Sequence, residues 1–434
     1  MKIHRYSTAA ARTKLDRIIN RGSDYTRKNH QAVAAIIREV RKKGDAALET
    51  YTRQFDAPRM KAARFRVTAR EVAAAAGLVD KSFTRALNRA VRQITDFHRQ
   101  QQNQSWFDTP RPGVLVGQRV TPVDSAGLYI PGARGGETPL VSTVLMGAIP
   151  ARTAGVPRVV MVTPPRRDGS VSPHLLVAAK KTGVDEIYKI GSAWAIAALA
   201  YGTQTIPRVD MIAGPGNLYV SLAKKILIGT VGIDMVAGPS EILIIADQTA
   251  DPACLAADLL SQAEHDALSA AVLITPEESV ARQTAVEIDR QLAGLKRKAT
   301  AEKALAAYGG LFVVDRLETA FALANRFAPE HLELQIADAQ DYLDTVRNAG
   351  AVFLGPFTPE PVGDYVAGPN HTLPTAGSAR FASALSTVHF TKKTSIVRYT
   401  EAAFRREAAD VIRLAETEGL DAHANAVRIR LNRE

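Results

Sequence analysis

Short apolar runs recur along this chain: RVVMVTPP, DEIYKI, VDMIAGPG, EILIIAD, AAVLITP, GLFVVD and AVFLG, between Arg158 and Gly355. Runs of this length that are apolar on both faces read as strands covered on both sides. Helix-length segments such as HLLVAAKKTG, AWAIAALAYG and LAADLLSQAEH lie between them. The βαβα alternation constrains the fold more than any other feature, because it demands parallel sheets with helices on both faces. It supplies enough units for two such sheets, over 128–239 and 240–385. Upstream, residues 8–20, about 29–55 and 70–100 carry helical apolar spacing. Residues 1–127 are therefore expected to form a helical region packing mostly with the second α/β domain. Near Val114 the pattern turns β-branched and is broken by Pro and Gly, in VLVGQRVTPVDSAGLYIPG. From 386 the chain reads as a β-then-helix tail, including TKKTSIVRYTEAAFRREAADVIRLAETEG. The expected fold is α/β: two Rossmann-like parallel-sheet domains, a helical N-terminal region and a small C-terminal tail domain, 386–434.

The length of 434 residues exceeds one ordinary core. With 46% hydrophobic and 23% charged residues, the composition is that of a globular protein. No apolar run approaches the ~20 residues a membrane helix needs. The start, MKIHRYSTAAARTKL, has no apolar stretch of the kind a secretory signal carries. The single cysteine, Cys254, excludes an internal disulfide framework and a Cys-based zinc cluster, and fits a reducing cytoplasm. The net charge is +11; residues 1–111 hold 24 Lys/Arg against 10 Asp/Glu, a surplus of 14 that leaves about −3 for the rest. That surplus lies on helical, solvated faces with no interleaved aromatics, so no nucleic-acid partner is expected.

Several segments could carry chemistry. Gly-rich turns follow strands in YIPGARGGETP, 129–139, and in AGPGN, 213–217, which opens the helix LYVSLAKKIL. Glycines there let backbone N–H groups approach a phosphate at a helix N-terminus, although neither turn spells G-x-G-x-x-G. The turn AGPSE brings Ser240 and Glu241 to the start of EILIIAD. In SQAEHD, Gln262 and His265 are three apart, on one helical face. Asp364 and His371 sit in the Gly/Pro-rich GDYVAGPNHTLPT, and EGLDAH ends in His423. In APEHLEL, Glu330 and His331 stand side by side after a proline at the mouth of a strand, where a bend can turn an acid and a base into one site. An isolated Glu-His pair is ordinarily a solvated surface feature. Cys254, in the apolar DPACLAADLL, reads as an inert core thiol.

The segments PLVSTVLMGAIPA, AGPGNLYV, GIDMVAGPSEILIIAD, DLLSQAEHD, FAPEHLEL, NAGAVFLGPFTPEPVGDYVAGPNHTLPT and EGLDAHANAV, in this order, resemble the histidinol dehydrogenase family. The resemblance runs from about residue 30 to the C-terminus. It implies a zinc- and NAD-dependent enzyme that oxidises L-histidinol to L-histidinal and then to L-histidine. In the family's pattern the zinc ligands fall on Gln262, His265, Asp364 and His423, and the acid–base pair falls on Glu330 and His331. Ser240, His371 and Glu418 match substrate-contacting positions, and the ligands and His331 also face the substrate. Cofactor contacts fall on Tyr129, Asn217 and the position of Trp194. The family is a homodimer with exchanged C-terminal segments, so His423 would come from a second copy.

The pair then has a division of labour. His331 takes the alcohol proton as hydride leaves, Glu330 activates the water that hydrates the aldehyde, and His331 deprotonates the resulting diol. Two departures concern the cofactor. The loop PGARGGETP is longer than the family's by about three residues and brings in Arg134 and Glu137, of which Arg134 is a candidate for a 2′-phosphate. GSAW at 191–194 puts Trp194 where the family has glutamine. Trp accepts no hydrogen bond, so it would stack on the cofactor or fill space. Two other readings stand beside this one: a relative that oxidises another primary alcohol, such as a sulfonated diol, and a non-enzymatic basic binding protein.

Overall fold

The computed structural model describes residues 1–21, 26–133 and 138–432. Arg134 and Glu137 lie outside the described residues. The chain divides into two units, Met1–Gln101 with Val123–Phe390, and Gln102–Pro122 with Thr391–Glu434.

The larger unit holds two parallel sheets. The first runs, in spatial order, Gly232–Ile233, Met211–Ala213, Ser125–Tyr129, Arg158–Thr163 and Glu186–Lys189. The second runs Ile3–Arg5, Gly309–Val313, Ala270–Thr275, Glu241–Ala246, His331–Gln335 and Ala351–Leu354. All pairings in both are parallel. The apolar runs of the sequence are these strands; Glu241–Ala246 and Ala270–Thr275 are buried at every position.

Apolar clusters cover both faces of each sheet. One face of the first sheet carries Val33, Leu48, Ile196, Leu199 and Leu222; the other carries Ile94, Met146, Ile149 and Leu176. The second sheet has Leu15, Ile18, Phe321 and Phe327 on one face, and Leu255, Leu259, Ile288 and Ala304 on the other. Helix Ser192–Tyr201 is buried along nearly its whole length, which explains a sequence, SAWAIAALAY, with almost no polar side.

The expected helices are present as Ala9–Ile19, Arg27–Lys43, Asp45–Phe55, Ala69–Ala75 and Lys81–Arg99. Gly44, at φ +55°, breaks the expected 29–55 helix in two. Two expectations for 1–127 need correction. Arg27–Lys43, Asp45–Phe55 and Lys81–Arg99 pack on the first sheet's cores, not the second's. And Trp106–Arg111 and Val114–Pro122 are strands of the smaller unit, forming an antiparallel sheet with Thr391–Tyr399. Pairing between segments nearly 280 residues apart leaves no mark in local periodicity. In that unit Arg111 is paired with Glu407 at 2.6 Å, and helices Glu401–Thr417 and Asp421–Leu431 follow the sheet. No helix among the described residues is long and apolar enough to cross a membrane.

Candidate active site

Strand order locates two switch points in the larger unit, where successive crossovers run to opposite sides of a central strand. In the first sheet this lies at the carboxyl ends of Ser125–Tyr129 and Met211–Ala213. The turn 213–217 starts there. Gly214 has φ +120°, and a Cβ on it would stand 2.2 Å from the Tyr129 carbonyl oxygen, so only glycine lets the turn lie on that strand. Its N–H donates to Asp234 at 2.8 Å, and Lys224, ion-paired with Asp234, donates to its carbonyl at 3.0 Å. Asn217 caps helix Leu218–Leu227, its side-chain oxygen accepting from Tyr219 and Val220 N–H. Tyr129 Oη accepts from Ser192 N–H at 3.1 Å, and burial raises that phenol to about 12. Trp194 is 4% exposed and stacked with Tyr51 and Phe55, at ring-centre distances of 5.5 and 5.6 Å.

The second sheet gathers its polar groups at the amino ends of its strands. Ser240 precedes Glu241–Ala246, and Glu330 precedes His331–Gln335. The two strands exchange side-chain bonds across this edge. Glu241 N–H donates to Glu330 Oε2 at 2.9 Å, and Glu330 N–H donates to Glu241 Oε2 at 3.1 Å. Glu330 and His331 are 7% and 4% exposed, so the surface reading of the pair fails. Their side chains converge to 3.8 Å. Ala328, the helix cap just before them, has φ +51°, and Ala376, whose N–H donates to Glu241, has φ +52°. Backbone strain of this kind concentrates at functional sites.

The hydrogen bonding of His331 fixes its chemistry. Nδ1 lies 2.9 Å from the Glu241 carbonyl oxygen, which only accepts, so Nδ1 carries the proton. Nε2 is then the basic nitrogen, buried without a hydrogen-bond partner. Burial lowers the imidazole to about 4, so the ring is neutral and able to accept a proton at pH 7. Burial pushes Glu330 well above the usual carboxylate range, with the charges of Glu241 and Asp364 adding to the rise.

Around the pair the structure brings together Asp364, His371 and a residue that local reading missed, Glu360. His371 Nδ1 is 3.7 Å from Asp364, and His331 Nε2 is 3.8 Å from Glu360. Ligand atoms of His331, Glu360 and Asp364 all lie within 4.8 Å of one another. Burial raises Glu360 to about 9. Its signal in the sequence is a spacing of four from Asp364, one helical turn in PEPVGDY. Gln262 is in the last turn of helix Pro252–Ala263, 1% exposed, with Oε1 unpartnered. His265 is not on that helix as expected; it lies past the cap, its N–H donating to the Gln262 carbonyl at 3.2 Å, and its side chain is exposed. Charge on His265 would lower both His331 and His371, which puts it in the same electrostatic neighbourhood.

His265, Ser240, Asn217 and Gly216 line one cleft of about 830 Å³, together with Arg21 and Tyr308. That is room for a small substrate and part of a larger cofactor. Gln262 offers an unpartnered buried amide oxygen, His265 an exposed imidazole and Asp364 a carboxylate, donor types that zinc accepts. Glu418 and His423 belong to the smaller unit, at the end of helix Glu401–Thr417 and in helix Asp421–Leu431, both exposed. Cys254 is exposed, not core as expected; partial burial of its sulfur and the charges of Asp251 and Asp258 raise its thiol, which disfavours the thiolate.

Comparison with known proteins follows the same residues. The histidinol dehydrogenase family profile matches 19–431. The chain is 53% identical over 423 residues to histidinol dehydrogenase from Synechococcus sp., covering 97% of each. It is 54% identical over 400 residues to that of Desulfotalea psychrophila, covering 92% of each. The crystal structure of histidinol dehydrogenase from Elizabethkingia anophelis superposes with a TM-score of 0.90 at 40% identity, over 96% of each chain. With the paired sheets and the buried Glu-His pair already in view, these matches establish that the chain belongs to the histidinol dehydrogenase family of NAD-dependent oxidoreductases.

Proposed function

We propose that the protein oxidises L-histidinol through L-histidinal to L-histidine, using zinc and two NAD. The observation that carries this reading is His331: neutral, proton fixed on Nδ1, with Nε2 buried and without a hydrogen-bond partner, its ring 3.8 Å from Glu330 on the Nδ1 side. In the first step Nε2 takes the hydroxyl proton while the carbinol hydride goes to NAD, leaving aldehyde and NADH. In the second, Glu330 takes a proton from water as its oxygen joins the aldehyde carbon, and His331 returns the proton it took in the first step to the aldehyde oxygen, giving the diol and a neutral imidazole. His331 then takes a diol proton as the second hydride leaves to a second NAD, which yields the carboxylic acid; this ionises to the carboxylate by giving its proton to water. Adjacency on one bend lets the aldehyde stay bound between steps.

Gln262, His265, Asp364 and a second copy's His423 are the groups we assign to zinc. Bound there, zinc supplies positive charge that orients the substrate's amine and imidazole and favours the carboxylate form of Glu330. Ser240, His371 and Glu418 would hold substrate; Tyr129 and Asn217 would hold NAD. The glycine turn at a helix N-terminus supports the NAD assignment. We assign Trp194 to packing, since its ring is buried against Tyr51 and Phe55. The exposed apolar residues Val411, Leu414 and Ile429 on the smaller unit's helices support a homodimer.

The test is NAD reduction with L-histidinol by protein stripped with a chelator and re-supplied with zinc. The reading requires that activity be lost and regained, with two NADH per L-histidine. Turnover of other primary alcohols but not histidinol would leave the scaffold and refute the substrate.

A further inference from the structure

Arg21 takes no part in the steps above, and nothing in its sequence context marks it. Its guanidinium is nonetheless 2% exposed and fully engaged beneath the catalytic edge of the second sheet. Nη1 is 3.0 Å from Glu241 Oε1 and bonds the Ile18 carbonyl; Nη2 bonds the Pro239 and Ser240 carbonyls; Nε bonds the Leu268 carbonyl. Five acceptors match the five N–H donors of an arginine fork, and the guanidinium also lies over the Tyr308 ring at 5.8 Å. Glu241, its partner, is 1% exposed. Its Oε2 accepts from Glu330 N–H, its Oε1 from Ala376 N–H, and its own N–H holds Glu330 Oε2.

We infer that Arg21 and Glu241 form a buried positioning pair that sets the place of the Glu330 carboxyl, and thereby serves aldehyde hydration rather than alcohol oxidation. A carboxylate buried this deeply stays in place only if paired, and Arg21 is the cation that pairs with it. Without the fork, Glu241 would lose its anchor and Glu330 N–H its fixed acceptor. His331 is less dependent on the pair. Its Nδ1 is held by the Glu241 backbone carbonyl, and its strand pairs on both sides, with Glu241–Ala246 and with Ala351–Leu354. Ser240 likewise keeps its sheet bond to Ala270 N–H at 3.0 Å. The pair therefore acts on one of the two steps.

This rests on the role of Glu330 proposed above, and the experiment separates the two. In the zinc-loaded enzyme, the first hydride transfer from L-histidinol and the oxidation of L-histidinal supplied directly are measured for Arg21→Lys, Glu241→Gln and Glu330→Gln. Arg21→Lys keeps charge and bulk but cannot make the fork; Glu241→Gln carries the same test should the lysine variant melt. The expected result is a loss of about tenfold or more in the aldehyde step, beyond any loss in the alcohol step, with KM for L-histidinol little changed and free aldehyde released. Equal loss in both steps, or no loss in a folded variant, overturns the inference. If Glu330→Gln itself fails to single out the aldehyde step, the role of Glu330 falls, and the pair's assignment falls with it.

Discussion

In the first sheet the chain starts at the central strand Ser125–Tyr129, moves outward through Arg158–Thr163 and Glu186–Lys189, then returns to the other side for Met211–Ala213 and Gly232–Ile233. The second sheet repeats this plan around Glu241–Ala246, with Ile3–Arg5 added at one edge. The two sheets place their candidate site residues at opposite ends. The first uses the carboxyl ends at its switch point, where Tyr129 and the turn 213–217 meet. The second gathers Ser240, Glu330 and His331 at the amino ends. At its carboxyl end the buried Asp247 carboxylate is satisfied internally, accepting from Thr249 and from Ala337 N–H at 2.8 Å. The contrast teaches that topology offers two edges; in the second sheet the candidate site lies at the amino edge, where His331 Nε2 and Gln262 Oε1 are left without internal partners.

If the edges are separate in function, a change at one should spare the other. The largest effect is expected for His331→Asn, which removes the basic nitrogen. Both oxidation steps should fall by about a thousandfold, within the range typical of a lost acid–base group, while NAD titration of the protein is unchanged. Gly214→Ala is the reciprocal change. Its Cβ would meet the Tyr129 carbonyl at 2.2 Å, so the turn must move. KM for NAD should rise about tenfold, with the hydration of supplied aldehyde intact; such strain costs more than about 1 kcal/mol. Loss of NAD binding in the His331 variant, or of hydration in the Gly214 variant, would break the separation.

A pH experiment sharpens the account of the second sheet's interior. Glu333, beside Asp258, is pushed up to about 8 by burial and by that neighbour's charge, from 4.5 in an open chain. The folded protein then holds a proton that the unfolded chain gives up. This contribution is complete below pH 4.5 and lost as pH rises through about 8. Melting temperature of the metal-free protein should fall from pH 5 to 8.5 more steeply than that of Glu333→Gln; parallel curves would contradict the assignment. The smallest effect is expected for the exposed Cys254→Ser, within about 0.5 kcal/mol in stability and with no change in turnover.

Much of this architecture is legible in the amino-acid order. The apolar runs mark strands of both sheets because parallel strands are buried on both faces, and Asn217 at the head of its helix follows from the turn that opens it. What escapes is what depends on distant pairing. Ile3–Arg5 is too short to show a period, yet it pairs with Gly309–Val313. Glu241 reads as the first residue of a strand, and nothing local says that Arg21 will reach it across the fold. Glu360 was within reach, one helical turn from Asp364, but a carboxylate beside prolines carries no chemistry until His331 is placed 3.8 Å away. The separation of Gln262 and His265 by the end of a helix likewise needs the backbone, since SQAEHD has no Gly or Pro to mark the stop.

The assignment of the second sheet's amino edge turns on where a metal ion sits. Asp364 lies in the compact group with His331 and Glu360, and it is also in the set with Gln262 and His265 that we propose for zinc. Crystals loaded with zinc and measured on both sides of its absorption edge decide between them. The account predicts one anomalous peak about 2.0–2.2 Å from Gln262 Oε1, a His265 ring nitrogen and an Asp364 oxygen, with His331 Nε2 outside bonding range. A peak bonded to His331 Nε2, Glu360 and Asp364 would contradict it, because a ligated nitrogen has no lone pair left to take the substrate's proton.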